Sequence, residues 1–348
     1  MSLTPPSHWH FASEKVREEL KNDPLFLLGS AELVKTNAVR QVYRSGGYYL
    51  KLDRRVSRSF CGEFNSAHLC EAEHIPVVEH LCWGRNSEGA WLVTRAADGF
   101  VEAAELFKIR QEDQVYEGIA LFLKKIFCSK VYHPDLHPGN ILIDPATGRC
   151  LLVDLHGVRK RNFFDRFRMY MMHRCIMEFR NCRSDEQMFR LIGMCGIENG
   201  EKFFKKALVR EAALLRALTP KRRTQILNGY FKYTRIEKCG RLVDVSSGED
   251  ELSACEEFSS PHAAELFLLH FFLTQAKIPH RRILAFDPES QSCFYEKAPA
   301  EQYRSDATGA ELCRRLKYNG LRCEEKDFKQ GYLWHLEEVF LKNNPSGE

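Results

Sequence analysis

The sequence predicts an α+β chain of two lobes with a C-terminal extension. Three observations carry that expectation. Short alternating segments crowd residues 31–53 and 78–96 around one helical stretch. Three-to-four apolar spacing then dominates residues 100–228. A single hairpin pattern, "NILIDPATGRCLLVDL", interrupts that helical half. Strands, one helix, strands, then helices is the order of a sheet lobe followed by a helical lobe.

Each element follows from local chemistry. "ELVKT", "VRQVYR" and "YYLKLD" read as strands, with Ser45-Gly46-Gly47 as a tight hairpin turn. A helix is expected over 60–73, stopped by Ile75-Pro76 because proline lacks an amide donor. "VEHLCWG" and "AWLVTRA" form a strand pair around the turn "RNSEG", and helical spacing resumes over 100–129. The resulting division is an N-terminal segment (1–28), a sheet lobe (29–98), a helical lobe (99–232) and an α+β extension (233–348).

Composition excludes several classes. The chain has 348 residues, 44% hydrophobic and 28% charged, as in soluble globular proteins. A net charge of +4 is too mild to call for nucleic acid, and no nucleic-acid signature accompanies it. The N-terminus lacks a signal-peptide core, and "AAELFLLHFFL" is far short of a bilayer span, so a soluble, cytoplasmic protein is expected. The 13 cysteines are scattered without a CxxC pair, which favours reduced, mostly buried thiols over disulfides or structural zinc.

The chemistry concentrates in "VYHPDLHPGNILID", residues 131–144. His133, Asp135 and Asn140 have the H-x-D-x-x-x-x-N spacing of a kinase catalytic loop. Asp135 would orient or accept the proton of an attacking hydroxyl. Asn140 would bend back to hold magnesium on the phosphates of ATP. Asp154, at the end of the next strand in "VDLHG", would complete the magnesium site, since that ion takes few protein oxygens beside phosphate. Lys51 in "YYLKLD" suits the α- and β-phosphates and needs a carboxylate partner. Glu63 is the first choice, with Glu71 and Glu73 as competitors. His133 more readily braces the loop than reacts, and His137 either caps it or touches substrate. A metal site built from His133, His137 and His156 is disfavoured, because the carboxylates already have a better use.

"YHPDLHPGNILID" followed by "LLVDLHGVRKR" resembles the Kdo/WaaP family of lipopolysaccharide core kinases, which places aspartate-leucine-histidine where protein kinases have Asp-Phe-Gly. Asp154-Leu155-His156 and then Arg159, Lys160 and Arg161 fit that pattern, and "GGYYLKLD" and "EAEHIPVVEHLCWG" extend it over roughly 30–230. The resemblance implies a protein-kinase-like fold, ATP, magnesium, and a heptose or Kdo hydroxyl as acceptor. The "DLHPGN" loop is also similar to that of aminoglycoside and choline kinases. Two departures stand out. "KTNAVRQVYR" holds no glycine-rich phosphate loop, and neither a protein-kinase activation segment nor Ala-Pro-Glu follows Asp154, which argues against a protein substrate. The rival from another class is a pseudokinase that binds nucleotide or a partner without transfer.

Two further patterns concern surfaces and repeats. Arg159, Lys160, Arg161, Arg166 and Arg168 interleave with Phe163, Phe164 and Phe167, either as a solvated face or as a rim for an anionic inner membrane. The extension repeats the sheet lobe faintly, with Ile278-Pro279 on Ile75-Pro76, Leu284 on Leu81, Phe286 on Trp83, and Glu265 near Glu63. Chance similarity of two amphipathic stretches is the competing account. The repeat reading expects a truncated copy that stops before its catalytic loop, with one helix near Ala264–Ala276. It sets Asp244 in the place of Lys51, facing Glu265 as a like charge.

Overall fold

The computed structural model describes all residues except 1–7, 37–38, 56–59, 87–88, 108–112, 163–165, 181–182, 231, 238, 298–305, 330–331, 334–335, 337–338 and 341–348. The chain has a two-lobed, protein-kinase-like α+β fold. It separates into two compact units, residues 1–106, 111–175 and 194–196 in one, and residues 107–110, 176–193 and 197–348 in the other. No helix among the described residues is long and apolar enough to cross a membrane.

Unit one begins with β1 (His8–Phe11), α1 (Glu14–Glu19), β2 (Glu32–Thr36), β3 (Arg40–Ser45), β4 (Tyr48–Asp53), α2 (Cys61–Ala72), β5 (His80–Asn86) and β6 (Gly89–Arg95). The strands form one antiparallel sheet in the order β1-β5-β6-β4-β3-β2. Alternation sorts its two faces. Leu50, Leu81 and Val93 pack against Val16, Leu20 and Leu27 of the N-terminal segment. Ala90 and Leu92 face Phe60 and Phe64 at the start of α2. Lys51 pairs with Leu92 across the ladder, so it stands on the α2 face. Helix α2 ends at His74, which turns left-handed (φ 58°), and the Ile75 amide then donates to the Cys70 carbonyl at 2.8 Å.

The expected helix over 100–129 is broken. Val101–Glu102 is a short strand, β7, and it is followed by α3 (Ala103–Leu106) and α4 (Asp113–Cys128). The reason is tertiary: β7 pairs with Ile143 and Leu142 some forty residues on, a partner that local spacing does not reveal. Next come β8 (Val131–Tyr132), a single 3-10 turn at Pro138–Asn140, β9 (Ile141–Ile143), β10 (Cys150–Leu152), β11 (Arg159–Lys160) and α5 (Arg166–Glu178). The β9–β10 hairpin sits on α4 so tightly that a Cβ on Gly118 would lie 2.2 Å from the Gly148 carbonyl oxygen. It is also tied to the sheet lobe. The Leu152 amide donates to Pro76 (2.9 Å), and the Val78 amide donates to Leu152 (3.2 Å). Burial pushes the thiols of Cys70 and Cys150 up to about 12, so both are inert packing groups.

Unit two contains α6 (Asp185–Met194), α7 (Gly200–Leu227), β12 (Thr234–Ile236), β13 (Leu242–Asp244), α8 (Glu249–Ser253), β14 (Glu256–Ser259), α9 (Ala263–Gln275), β15 (Ile283–Asp287), β16 (Ser292–Tyr295), α10 (Gly309–Tyr318), β17 (Phe328–Lys329) and β18 (Tyr332–Leu333). Its five-stranded sheet runs β12-β13-β15-β16-β14. Several backbone details of unit one recur here. Lys277 is left-handed like His74, and the Ile278 amide reaches Leu273 (3.0 Å) as Ile75 reaches Cys70. The β15–β16 pair is irregular between Ile283 and Ala285, as β5–β6 is between His80 and Cys82. The Glu296 amide donates to Arg282 (3.1 Å) as the Arg95 amide donates to Glu79 (2.9 Å).

Three expectations about the extension are corrected by the pairing. The correspondence does not stop before a catalytic loop. Helix α10, a 3-10 turn at Glu325–Asp327 and the β17–β18 hairpin follow. There the Leu333 amide donates to Pro279 (3.0 Å) and the Arg281 amide to Leu333 (2.9 Å), repeating the Leu152 bonds. Asp244 does not stand in the place of Lys51. In unit two it is β14 that flanks β16 as β4 flanks β6, and setting Tyr295 on Thr94 puts Phe258 in the lysine's place. Nor does Asp244 meet Glu265. Its carboxylate faces His270 Nε2 at 3.1 Å, while Glu265 pairs with Arg223 at 3.2 Å. Strand identity follows from ladder neighbours, which a likeness between short stretches does not encode.

Candidate active site

All the expected site residues lie in unit one. Lys51 projects from β4, and its Nζ donates to Glu63 Oε1 at 3.1 Å. Glu63 is nearly buried (2% side-chain exposure) in the first turn of α2. The competitors are engaged elsewhere, Glu71 with His68 (3.2 Å) and Glu73 with the Lys130 amide (3.2 Å). His80 on β5 is a third member that no spacing announces. Its Nδ1 donates to the Val78 carbonyl at 2.9 Å, and its Nε2 faces Glu63 Oε1 across 3.8 Å. Burial alone would raise the Glu63 carboxyl, but the Lys51 ammonium and the His80 ring outweigh it and hold it at about 2.

The catalytic-loop residues divide between support and exposure. His133 is completely buried. Its Nδ1 accepts the Asp135 amide at 3.2 Å, its own amide donates to the Met171 sulfur at 3.2 Å, and burial keeps its pKa below the usual histidine range. These contacts tie His133 to the loop backbone and to α5 and leave its side chain no exposure. His137 caps the 3-10 turn by accepting the Gly139 amide at 3.1 Å. A Cβ at Gly139 would meet the His137 ring at 2.9 Å, so that glycine is what lets the ring lie down. Asn140, largely buried, donates its side-chain amide to the Asp135 carbonyl (2.9 Å), which leaves its amide oxygen as a ligand atom. Asp135 keeps half its side chain exposed, with Oδ1 accepting from Arg174 Nη2 at 2.8 Å and Oδ2 lying 3.6 Å from His137 Nε2. Arg174 carried no signal in the sequence.

Asp154 follows β10 in the left-handed region (φ 53°), a conformation uncommon for a residue with a Cβ. It shares a cleft of about 420 Å³ with Lys51, Glu63 and Asn140, walled by apolar side chains such as Val42 and Leu142. Two hard oxygen donors, the Asn140 amide oxygen and the Asp154 carboxylate, suit a magnesium ion that takes its other ligands from phosphate and water. Val34, Lys35 and Arg40 line the cleft, the stretch 34–44 holds no glycine, and residues 37–38 lie outside the described residues. The basic rim after Asp154 is smaller than expected. Arg168 is buried and donates to the Phe127 carbonyl (2.9 Å), Phe163 and Phe164 lie outside the described residues, and Arg161 lies over the Phe167 ring (4.5 Å).

Residues 86–185 match the ABC1 atypical kinase-like domain, a stretch that includes the whole catalytic loop and Asp154. No curated protein matches the chain. Among solved structures it is similar to a choline/ethanolamine kinase family protein from Mesorhizobium loti (15% identity, 62% of this chain and 86% of that one, TM-score 0.42). It is similar also to an aminoglycoside phosphotransferase from Streptomyces rimosus, in complex with ADP and streptomycin (16% identity, 53% of this chain and 96% of that one, TM-score 0.38). The Kdo/WaaP resemblance is not among these matches. The fold and the domain match together make this a kinase-like α+β chain.

Proposed function

We propose that the chain transfers the γ-phosphoryl group of ATP to an alcohol oxygen, and that the acceptor is a sugar hydroxyl of the heptose or Kdo type on lipopolysaccharide inner core. One observation carries the phosphotransfer reading: a single cleft gathers the Lys51–Glu63 ion pair with Asn140 and Asp154. Lys51, held by Glu63, would steady the α- and β-phosphates. Asn140 and Asp154 would hold magnesium, which supplies charge neutralisation on the phosphates when bound. Asp135 would align the acceptor hydroxyl and receive its proton. The Asp154-Leu155-His156 stretch and the basic residues after it support the acceptor class.

A nucleotide-binding scaffold is the second reading, favoured by the absence of a glycine-rich phosphate loop from "KTNAVRQVYR". A phosphate-transfer assay decides between them, using labelled ATP with extracted, dephosphorylated lipopolysaccharide core, and with an aminoglycoside and choline as alternative acceptors. Asp135→Asn should lower transfer by about 10²-fold or more while leaving ATP affinity nearly unchanged. Equal activity of wild type and variant would sink the enzyme reading. Transfer to choline or the aminoglycoside alone would move the acceptor to a small molecule.

A further inference from the structure

Helix α5 reaches the catalytic loop at two points one turn apart. Met171 Sδ accepts the His133 amide at 3.2 Å, and Arg174 Nη2 donates to Asp135 Oδ1 at 2.8 Å. The helix itself is pinned three residues earlier, where buried Arg168 donates to the Phe127 carbonyl at the end of α4 (2.9 Å). Positions 168, 171 and 174–175 fall on one side of a 3.6-residue helix, and Met171 and Cys175 are buried there. The Arg174 guanidinium is therefore delivered to Asp135 by a fixed element, not by a freely wandering surface side chain.

We infer that Arg174 is a positioning residue that decides which oxygen of Asp135 meets the acceptor. This rests on the phosphotransfer reading above. With Oδ1 occupied by the guanidinium, Oδ2 is left to accept the hydroxyl, with His137 Nε2 at 3.6 Å on its flank. In the transfer, the acceptor O–H bond breaks and its proton passes to Oδ2. The acceptor O–P bond forms as the bond from the γ-phosphorus to the bridging oxygen breaks, and the electron pair leaves with ADP. A loose transition state asks little basicity of Asp135 and much alignment, so a guanidinium on the other oxygen costs little and fixes the carboxylate plane. Lysine cannot substitute, because a point charge does not set that plane.

The test needs no identified acceptor, since water serves. ATP hydrolysis and magnesium–ADP binding are measured for wild type, Arg174→Ala, Arg174→Lys, Asp135→Asn and the Asp135→Asn/Arg174→Ala double variant. Arg174→Ala should lower kcat by about 10²-fold with KM for ATP and ADP affinity within twofold. Added guanidinium at millimolar levels should restore part of the rate to Arg174→Ala, and Arg174→Lys should stay slow. The double variant should be no slower than Asp135→Asn alone, because Arg174 acts through that carboxylate. Wild-type rates in Arg174→Ala, or losses that add in the double variant, overturn the positioning role and leave the phosphotransfer reading standing. A wild-type protein that neither binds magnesium–ADP nor hydrolyses ATP overturns both. Should Arg174→Ala fail to fold, as a thermal melt would show, Arg174→Gln carries the same comparison.

Discussion

Glu63 makes the lysine clamp sensitive to acid. Its carboxyl has an ordinary value of 4.5 and lies at about 2 in the folded chain. A carboxylate held down by folding adds stability above its unfolded value, and that contribution is lost as pH falls from about 4.5 through about 2. For a nearly buried group the difference amounts to about 3 kcal/mol. Glu63→Gln should therefore melt well below wild type at pH 7, and the gap should narrow steadily between pH 4.5 and pH 2. A gap that stayed constant across that range would show that the ion pair is not its source. The residues that spoke in the sequence are those whose chemistry is local: Asp135 and Asn140 share a loop, Lys51 lies in a strand, and Asp154 comes two residues after one. His80 and Arg174 reach the same site from separate elements, and nothing in their neighbours distinguishes them from surface residues.

The contact between α4 and the β9–β10 hairpin is the element that sets Asn140 and Asp154. Replacing a helical glycine by alanine ordinarily stabilises by about 1 kcal/mol. At Gly118 the added Cβ would fall 2.2 Å from a backbone oxygen in the hairpin turn, and backbone cannot swing aside as a side chain can. Overpacking should win, so Gly118→Ala should destabilise by about 1–3 kcal/mol in chemical denaturation and weaken magnesium-dependent nucleotide binding with it. A stabilised variant would mean that the hairpin is not seated on α4. The strands β2 to β6 were legible from β-branched and aromatic runs set off by turn residues, and the helix α2 from its stop at Ile75-Pro76. The short strand β7 was not, and neither was the exchange of β13 for β14 in the second sheet. "GRLVDVS" looks more like "GYYLKLD" than "EEFS" does, yet position in a ladder depends on a partner far along the chain.

At the scale of the whole molecule, the two units share backbone geometry and differ in chemistry. Where unit one has Lys51 and Glu63, unit two has Phe258 and, twelve residues before Ile278 as Glu63 is before Ile75, the buried Leu266. Neither can hold phosphate. Asp327, where Asn140 would stand, is turned inward to accept the Glu324 amide at 2.8 Å. Calorimetry with magnesium–ATP should give one site per chain, and a stoichiometry near two would refute this account of the second unit. The alternation and the Ile-Pro pair made the second sheet visible in the sequence, whereas its continuation through a hairpin was hidden because no catalytic motif survives to mark it. Asp154 brings the question of upkeep to a point. A left-handed residue with a Cβ costs about 1 kcal/mol, against a total stability of only about 5–15. Glycine would relieve that strain at once, and a site with no chemistry left to perform has no reason to resist the change. The proposed magnesium role of Asp154 would give that small cost a use.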